Sequence, residues 1–359
     1  MNGVSETMSS YDRVLAAVGH RRPDRVPLEL IAVEEVKRSL IGALKVQGEE
    51  ELLRQLNVDF RRVELAVRKA QPVPPRAQER FGGQGSLEAS CYGVVLLKHP
   101  NFPQHHRVYG PFYDSENLDR FDWPEPDDVE GPQAAAAAIA RHNREGLCTL
   151  VPCDNPFKIA YFMRPYEEFL IDCLTRPEFA CELLERIAAV EFTRAMNGVR
   201  AGARCVMIFG DFAHQQELMV SPAVFRRVLK PLLAGFVARL KDVRPEVLVF
   251  LHSDGNLTAV LEDLIECGFD AVHPIQPECM DMAVVKRRFG DRLTLFGGVS
   301  VQSELPGSDP QVIRALVRRR IELLGQNGGF ILAPSNSIMP DVPTASVLAI
   351  YEEGGRVRK

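Results

Sequence analysis

The stretch from Val247 to Asn256 (VLVFLHSDGN) shows how this chain folds, because an apolar run stops abruptly at polar and glycine residues. The same pattern recurs three times downstream, and amphipathic segments separate the runs. Continuous apolar strands that alternate with helices are typical of a parallel sheet covered on both faces. In a barrel of such strands, the residues just after the strand ends form the active site. The other three runs and the residues that end them are Ala271–Val272 before His273, Leu293–Phe296 before Gly297, and Phe330–Leu332 before Ala333.

Followed along the whole chain, the alternation predicts about eight strands and an α/β fold of the (β/α)8 TIM-barrel type. An open doubly wound sheet is the alternative, but no G-x-G-x-x-G follows the first strand candidate, 26–30. We expect an N-terminal helical extension at 11–20 and a single domain over 1–359, since no sharp linker divides the chain. Residues 70–146 follow the second strand candidate, 58–65, and their weak periodicity predicts a long excursion or lid.

The composition narrows the class of protein. The chain has 359 residues, of which 46% are hydrophobic and 25% charged, and its formal net charge is −5. Binding to a nucleic-acid backbone needs clustered positive charge, so we expect no nucleic-acid partner. The N-terminus lacks the pattern of a signal peptide, and no apolar run approaches the roughly 20 residues that span a bilayer. These features predict a cytoplasmic protein with a small-molecule substrate and no membrane association.

Several motifs together resemble the uroporphyrinogen decarboxylase superfamily, which also contains corrinoid-dependent methyltransferases. The resemblance covers most of the chain and implies the same barrel fold. The matching motifs are RVLAA at 13–17, PDRVP at 23–27, GD at 210–211, SP at 221–222, LHSDGN at 251–256, PIQP at 274–277, FGG at 296–298, GFILAP at 329–334 and PDVP at 340–343.

The departures from the family patterns separate the activities that the resemblance implies. The decarboxylase carries arginines after its first strand that bind tetrapyrrole carboxylates, whereas 30–37 (LIAVEEVK) is acidic here. Its aspartate near the second strand is replaced by Glu64 at best, and its histidine after the last strand corresponds to Asn336. These replacements disfavour the decarboxylation of uroporphyrinogen itself.

The thiol-methylating branch of the family binds zinc through a His-x-Cys pair and a later cysteine. His252 matches, but Asp254 and Asn336 stand at the cysteine positions. Oxygen ligands make a harder metal site than sulfur ligands do, which disfavours the activation of a thiol. The branch that remains transfers a methyl group from a methoxy-type donor to the cobalt of a separate corrinoid protein.

The resemblance and the strand ends together predict the site residues. An acid or a metal must polarise the ether oxygen, because an unprotonated alkoxide is a poor leaving group. We therefore expect zinc or another divalent metal in this chain and a corrinoid on a partner protein, with monomer and homodimer both left open. The predicted catalytic residues are Asp211, His252 and His214; the predicted metal ligands are His252, Asp254, Asp211 and Glu278; the predicted substrate-binding residues are Gln276, Asn336, Ser335, Tyr166 and Phe157.

Other interpretations of the same residues stay open at this point. Asp254 is also suited to cap a following helix, and His214 to lie in a solvated loop. We interpret His273 as part of a structural turn and the pair His105-His106 as surface. Aromatic residues such as Phe157 are more often core than pocket wall.

Two other classes of function remain. A cofactor-free decarboxylase would use Asp211 or His252 as a general acid and a basic residue such as Arg61, Arg62 or Arg164 to hold a carboxylate. A non-catalytic binding barrel is the third interpretation.

Overall fold

The computed structural model describes residues 8–68, 70–99 and 106–356. Seven of its strands form one parallel sheet, in the order β1-β5-β6-β7-β8-β9-β10, and helices cover the outer face. The strands of the described chain are β1 (Phe60–Arg62), β2 (Ser86–Ala89), β3 (Val95–Lys98), β4 (His106–Tyr109), β5 (Cys148–Asp154), β6 (Cys205–Phe209), β7 (Leu248–His252), β8 (Ala271–Ile275), β9 (Thr294–Val299) and β10 (Phe330–Pro334).

The segment predicted as the first strand closes the sheet with few bonds. Leu28 forms a parallel bridge to Leu332 of β10, and its carbonyl accepts a hydrogen bond of 2.9 Å from the amide of Asp59, just before β1. Pro27 has no N–H to donate, which shortens the ladder there. The curled sheet thus has the predicted (β/α) barrel architecture, with a bridge in place of a full first strand and a shorter second strand than 58–65.

Helices follow most strands and pack on the outer face of the sheet. The predicted N-terminal helix is present as α1, which ends at Val18. No helix of the described residues is long and apolar enough to cross a membrane. The α-helices are α1 (Ser10–Val18), α2 (Glu34–Leu44), α3 (Glu49–Gln55), α4 (Pro75–Phe81), α5 (Pro132–Arg144), α6 (Pro156–Met163), α7 (Tyr166–Thr175), α8 (Pro177–Arg200), α9 (Pro222–Val224), α10 (Lys230–Val243), α11 (Leu261–Glu266), α12 (Met282–Phe289), α13 (Pro310–Leu324) and α14 (Thr344–Gly354).

Three phenylalanine rings fill the middle of the barrel. Phe60, Phe250 and Phe296 are buried, and their ring centroids lie 5.8 to 6.3 Å apart. Val14 of α1 packs in the same cluster. The interior is therefore a packed core, and any chemistry is restricted to the mouth of the barrel.

The 70–146 segment contains α4, a three-stranded antiparallel sheet and α5. The strands β2, β3 and β4 pair in sequence order, and β4 packs against α6 of the barrel. One side of this small sheet therefore lies beside the mouth of the barrel. Of the pair His105-His106, His105 lies outside the described residues.

Candidate active site at the carboxyl ends of the strands

A layer of inward-facing side chains lies directly above the phenylalanine rings. Phe250 is in the barrel interior and side chains alternate along a strand, so His252, two residues later, faces inward again. Phe209 of β6 pairs in register with His252, and His252 pairs in register with His273 of β8. His273 lies on the edge of Phe296, with 4.9 Å between ring centroids.

The two histidines form a hydrogen-bonded chain that fixes the proton positions. His273 Nε2 lies 3.0 Å from the carbonyl oxygen of Pro334, which only accepts, so this nitrogen carries the proton. Burial lowers the pKa of His273 to about 3, so its Nδ1 is unprotonated and accepts from His252 Nδ1 at 2.7 Å. Burial, followed by the neighbouring His273, also holds the pKa of His252 well below its ordinary value. Neutral His252 is thus left with a free lone pair on Nε2.

Two carboxylates lie beside that lone pair. Asp211 follows β6 and Asp254 follows β7, and together with His252 they bring ligand atoms that all lie within 4.8 Å of one another. Asp254 Oδ1 lies 4.0 Å from His252 Nε2. The backbone amide of Asp254 donates to Asp211 Oδ1 at 2.8 Å. Since one imidazole and two carboxylates bring their ligand atoms this close together, the group has the composition and spacing of a metal site.

The carboxyl group of Asp254 lies in an unusual environment. Its Oδ1 is buried and has no hydrogen-bond partner, while its Oδ2 accepts from the side-chain amide of Asn336. Burial and the charge of Asp211 raise the pKa of Asp254 to about 7, although the bond from Asn336 opposes that rise. The alternative role of Asp254 as a helix cap is not what the structure shows, because α11 begins only at Leu261.

The turn after Asp254 is held by predicted substrate-binding residues. Gly255 has a φ of +91°, and an added Cβ would lie 2.4 Å from the carbonyl oxygen of His214. Its amide donates to the side-chain oxygen of Gln276 at 3.2 Å. Ser335 is buried and accepts from the amide of Val301. Gln276 and Ser335 therefore shape the loops, as does Asn336 by orienting Asp254.

Three other predicted site residues, Glu278, His214 and Phe157, lie outside the ligand group of Asp211, His252 and Asp254. Glu278 is exposed, and its Oε1 accepts from Ser300 and Ser303, so it is not one of the converging ligands. His214 is also exposed, and its Nε2 lies 2.9 Å from the hydroxyl of Tyr166 at the rim. Phe157 is fully buried, so it supports the wall from behind.

The three arginines that were considered for binding a substrate carboxylate differ in position and in their existing ion pairs. Arg61 faces outward and pairs with Glu50, and Arg164 pairs with Asp172 in a buried contact. Arg62 faces the mouth, where its guanidinium lies 5.4 Å from the ring centroid of Phe209. It also donates to the buried Glu29 at 3.0 Å. Of these arginines, Arg62 alone extends into the inner layer.

A cleft of about 600 Å³ opens beside Asp211 at the mouth. It contains the predicted Tyr166 within an aromatic lining, and it also contains Arg107 from β4, which the sequence analysis did not assign. The residues that line it are His106, Arg107, Tyr113, Lys158, Tyr161, Phe162, Tyr166 and Asp211.

A second cluster of side chains of the types that bind metals lies away from the mouth of the barrel. It consists of Glu50, His142 and Glu145. Arg54 forms ion pairs with both carboxylates, at 2.8 and 2.5 Å, and Arg61 forms a further one with Glu50. Because arginines already neutralise these carboxylates, the group at the mouth is the better candidate for a cation.

Comparisons with known proteins identify the family of this chain. The model of the uroporphyrinogen decarboxylase (URO-D) family matches residues 103–355. Among curated proteins, the methylcobamide:CoM methyltransferase MtaA of Methanosarcina barkeri is 32% identical over 164 residues, which are 45% of this chain and 44% of that protein. A uroporphyrinogen decarboxylase of Chlorobaculum tepidum is 26% identical over 179 residues, 49% of this chain and 48% of that protein. The matched stretch thus spans less than half the length of each of these two relatives.

A solved structure supports the fold. A methyltransferase from Methanosarcina mazei superposes with a TM-score of 0.67 and covers 97% of this chain and 98% of its own, at 18% sequence identity. At 18% sequence identity this similarity supports the fold alone.

Proposed function

This chain belongs to the uroporphyrinogen decarboxylase family, and we propose that it transfers a methyl group from a methoxy-type small molecule to a corrinoid protein. In this proposal Asp211, His252 and Asp254 bind zinc or another divalent metal. The relatives matched above are methyltransferases and decarboxylases, so an enzymatic role is common to both. The observation that carries the proposal is the buried, unpartnered Oδ1 of Asp254 opposite the free Nε2 of His252.

The residues fit a divalent cation in three respects. First, a buried carboxylate oxygen without a partner is costly, and a cation would satisfy it. Second, one imidazole and two carboxylates are a donor set that zinc and similar divalent metals accept. Third, each ligand is oriented by another polar group, since His273 holds His252, Asn336 holds Asp254, and the amide of Asp254 holds Asp211. Such outer partners are a regular feature of metal sites in proteins.

The chemistry requires that the oxygen left behind be stabilised. The methyl carbon moves to the cobalt nucleophile without its bonding electrons, which remain on the leaving oxygen. When bound, a divalent metal would supply a Lewis acid for that oxygen. Asp211 and Asp254 would hold that metal together with His252, and the aromatic side chains of the cleft would limit the access of water to it. In this proposal His214, whose Nε2 lies 2.9 Å from the hydroxyl of Tyr166 at the rim, delivers the proton that the departing alkoxide needs.

The first test is the metal content of the protein. We would purify the chain without chelators or immobilised nickel and measure metals by plasma mass spectrometry. Near-stoichiometric metal in the wild type, lost in His252→Ala and Asp254→Ala, is the expected result. His214→Ala is the matched control, because this histidine lies at the same mouth outside the ligand group, and it should keep the metal. Absence of metal from the wild type would refute the proposed site.

A cofactor-free decarboxylase is the second candidate. Arg62 favours it, because its guanidinium acts on His252 and only its Nε is used in the bond to Glu29, which leaves its other donors for a carboxylate. In that mechanism Asp211 or His252 would protonate the carbanion that forms as carbon dioxide leaves. Metal-free protein that decarboxylates a small organic acid, with loss of activity in Arg62→Met, would favour this candidate over methyl transfer.

A further inference from the structure

One arginine from the 70–146 segment is held over the mouth of the barrel. Arg107 belongs to β4, and this strand ends against the last turn of α6. Gly110 makes the close approach there, because an added Cβ would lie 2.4 Å from the carbonyl oxygens of both Phe162 and Met163. The amide of Phe112 then donates to the carbonyl of Met163 at 2.9 Å. Arg107 is therefore placed by backbone packing and not by a loose loop.

The guanidinium of Arg107 lies over an aromatic ring and lines the cleft. Its Cζ is 3.5 Å from the ring centroid of Phe162, a cation–π contact that orients the charged group. Among the described residues, this side chain makes no hydrogen bond or ion pair, and Tyr161, Asp154 and Asp211 act on its charge only through space. By contrast, Arg61 and Arg164 are each neutralised by a carboxylate.

The cleft connects this cation to the proposed metal site. Asp211 belongs both to the lining of the cleft and to the ligand group with His252 and Asp254. Lys158, the other cation of the lining, is already paired with Asp154. A ligand in the cleft thus meets an available guanidinium, aromatic side chains and Asp211 of the ligand group.

We propose that Arg107 binds the carboxylate of an organic anion whose opposite end reaches Asp211, so that the substrate of this enzyme is an anionic compound with an apolar body. A planar guanidinium can donate two parallel hydrogen bonds to a carboxylate, and the ring of Phe162 covers only its face, so its N–H donors remain free for the ligand. A divalent metal would neutralise Asp211 and Asp254, which leaves Arg107 as the uncompensated charge of the cleft. The contact between the far end of the substrate and the metal site rests on the proposed function, but the binding of the carboxylate by Arg107 does not.

The test compares a charged probe with its neutral counterpart. Benzoate and benzamide have the same shape, and their binding is measured by isothermal titration calorimetry on the full chain. The variants are Arg107→Gln, Arg107→Lys, and Arg288→Gln as the matched control, since Arg288 also stacks on a phenyl ring, at 4.8 Å, on the outer helix α12. Each is measured after loading with zinc and after treatment with a chelator, because a metal ion can also bind benzoate.

We expect the wild type to bind benzoate about tenfold or more tightly than benzamide, as for a hydrogen-bonded ion pair. Arg107→Gln should remove this preference with and without zinc, Arg107→Lys should keep part of it, and Arg288→Gln should keep all of it. Equal binding of the two probes by the wild type, or an unchanged preference in Arg107→Gln, would overturn the inference. Binding that needs zinc and ignores Arg107 would overturn it as well, yet would leave the metal site standing. A wild type that binds no zinc when zinc is offered, yet keeps the Arg107-dependent preference, would refute only the proposed function.

Discussion

The hydrogen-bonded chain from Pro334 through His273 to His252 predicts that two similar substitutions have different effects on metal binding. In His273→Asn, the amide oxygen occupies the place of Nδ1 and still accepts from His252, but the bond to the Pro334 carbonyl is lost. In His273→Gln, the amide nitrogen reaches the place of Nε2 and still donates to Pro334, but His252 loses its acceptor. The first variant should therefore keep the orientation of His252, and the second should not.

The expected magnitudes follow from the bonds that each variant loses. An outer partner of a metal-binding histidine contributes about 10- to 100-fold to metal affinity, so His273→Gln should lose that factor. His273→Asn should retain most of the affinity. Each variant leaves one buried polar group unpaired, which costs about 1–3 kcal/mol of the free energy of unfolding. The two variants should thus be similarly destabilised while differing in affinity.

Zinc affinity is measured by competition with a chromophoric chelator at pH 8, where Asp254, with its pKa raised to about 7, is ionised. Urea denaturation of the metal-free proteins gives the free energies of unfolding. His214→Ala is the control for removal of an imidazole at the mouth outside the chain of bonds. Equal losses of zinc affinity in the Asn and Gln variants, or no loss in either, would refute the assignment of the protons along this chain.

Two further predictions concern stability. Burial raises the pKa of Asp24, but its hydrogen bonds to Arg13 and the charge of Arg13 outweigh burial and hold that pKa below 3.8. The Arg13–Asp24 ion pair therefore stabilises the folded state above pH 3.8, and this contribution is lost as the pH falls through the pKa of Asp24 in the folded state. The urea midpoint of the wild type should therefore fall more steeply with decreasing pH than that of Asp24→Asn, and this variant should lose about 1–3 kcal/mol of the free energy of unfolding at pH 7. Parallel plots of urea midpoint against pH for the two proteins would contradict this. Gly110→Ala should cost about 1–3 kcal/mol and weaken benzoate binding, because β4 must move away from α6, whereas Gly83→Ala, with open space around its Cβ, should change neither.

The barrel could be predicted because its strands are buried on both faces. Val247–Leu251 and Phe330–Leu332 have no polar position within them, and such runs leave little alternative to a covered parallel sheet. The first two strands were less regular than predicted, since Pro27 cannot donate to a ladder and β1 contains only three residues. Pairing of a short segment depends on its neighbours in space, and that information is not local in the sequence.

The candidate site could be predicted only where it depends on strand ends. Asp211, His252 and Asp254 were each found that way, and the structure brings them together. His273 was interpreted as part of a turn, although it follows Ala271 as His252 follows Phe250, and this shared alternation could have indicated an inward side chain. Arg107 carried no such signal, because it lies in a small separate sheet that reaches the mouth only through the packing of β4 on α6.

The same geometry suggests why oxygen replaces sulfur at this site. Two cysteines and a histidine give a divalent zinc ion the same net charge as two carboxylates and a histidine, so charge does not distinguish the two sites. Hardness does distinguish them: carboxylate ligands leave the metal a stronger acceptor for oxygen, and an ether or alkoxide oxygen is what a methoxy donor presents. In the proposed function the metal balances the two carboxylates, and Lys158 is paired with Asp154, so Arg107 is left as the positive charge available to a ligand in the cleft. A substrate with a methoxy oxygen at one end and a carboxylate at the other would satisfy both ends, whereas a neutral thiol would satisfy neither.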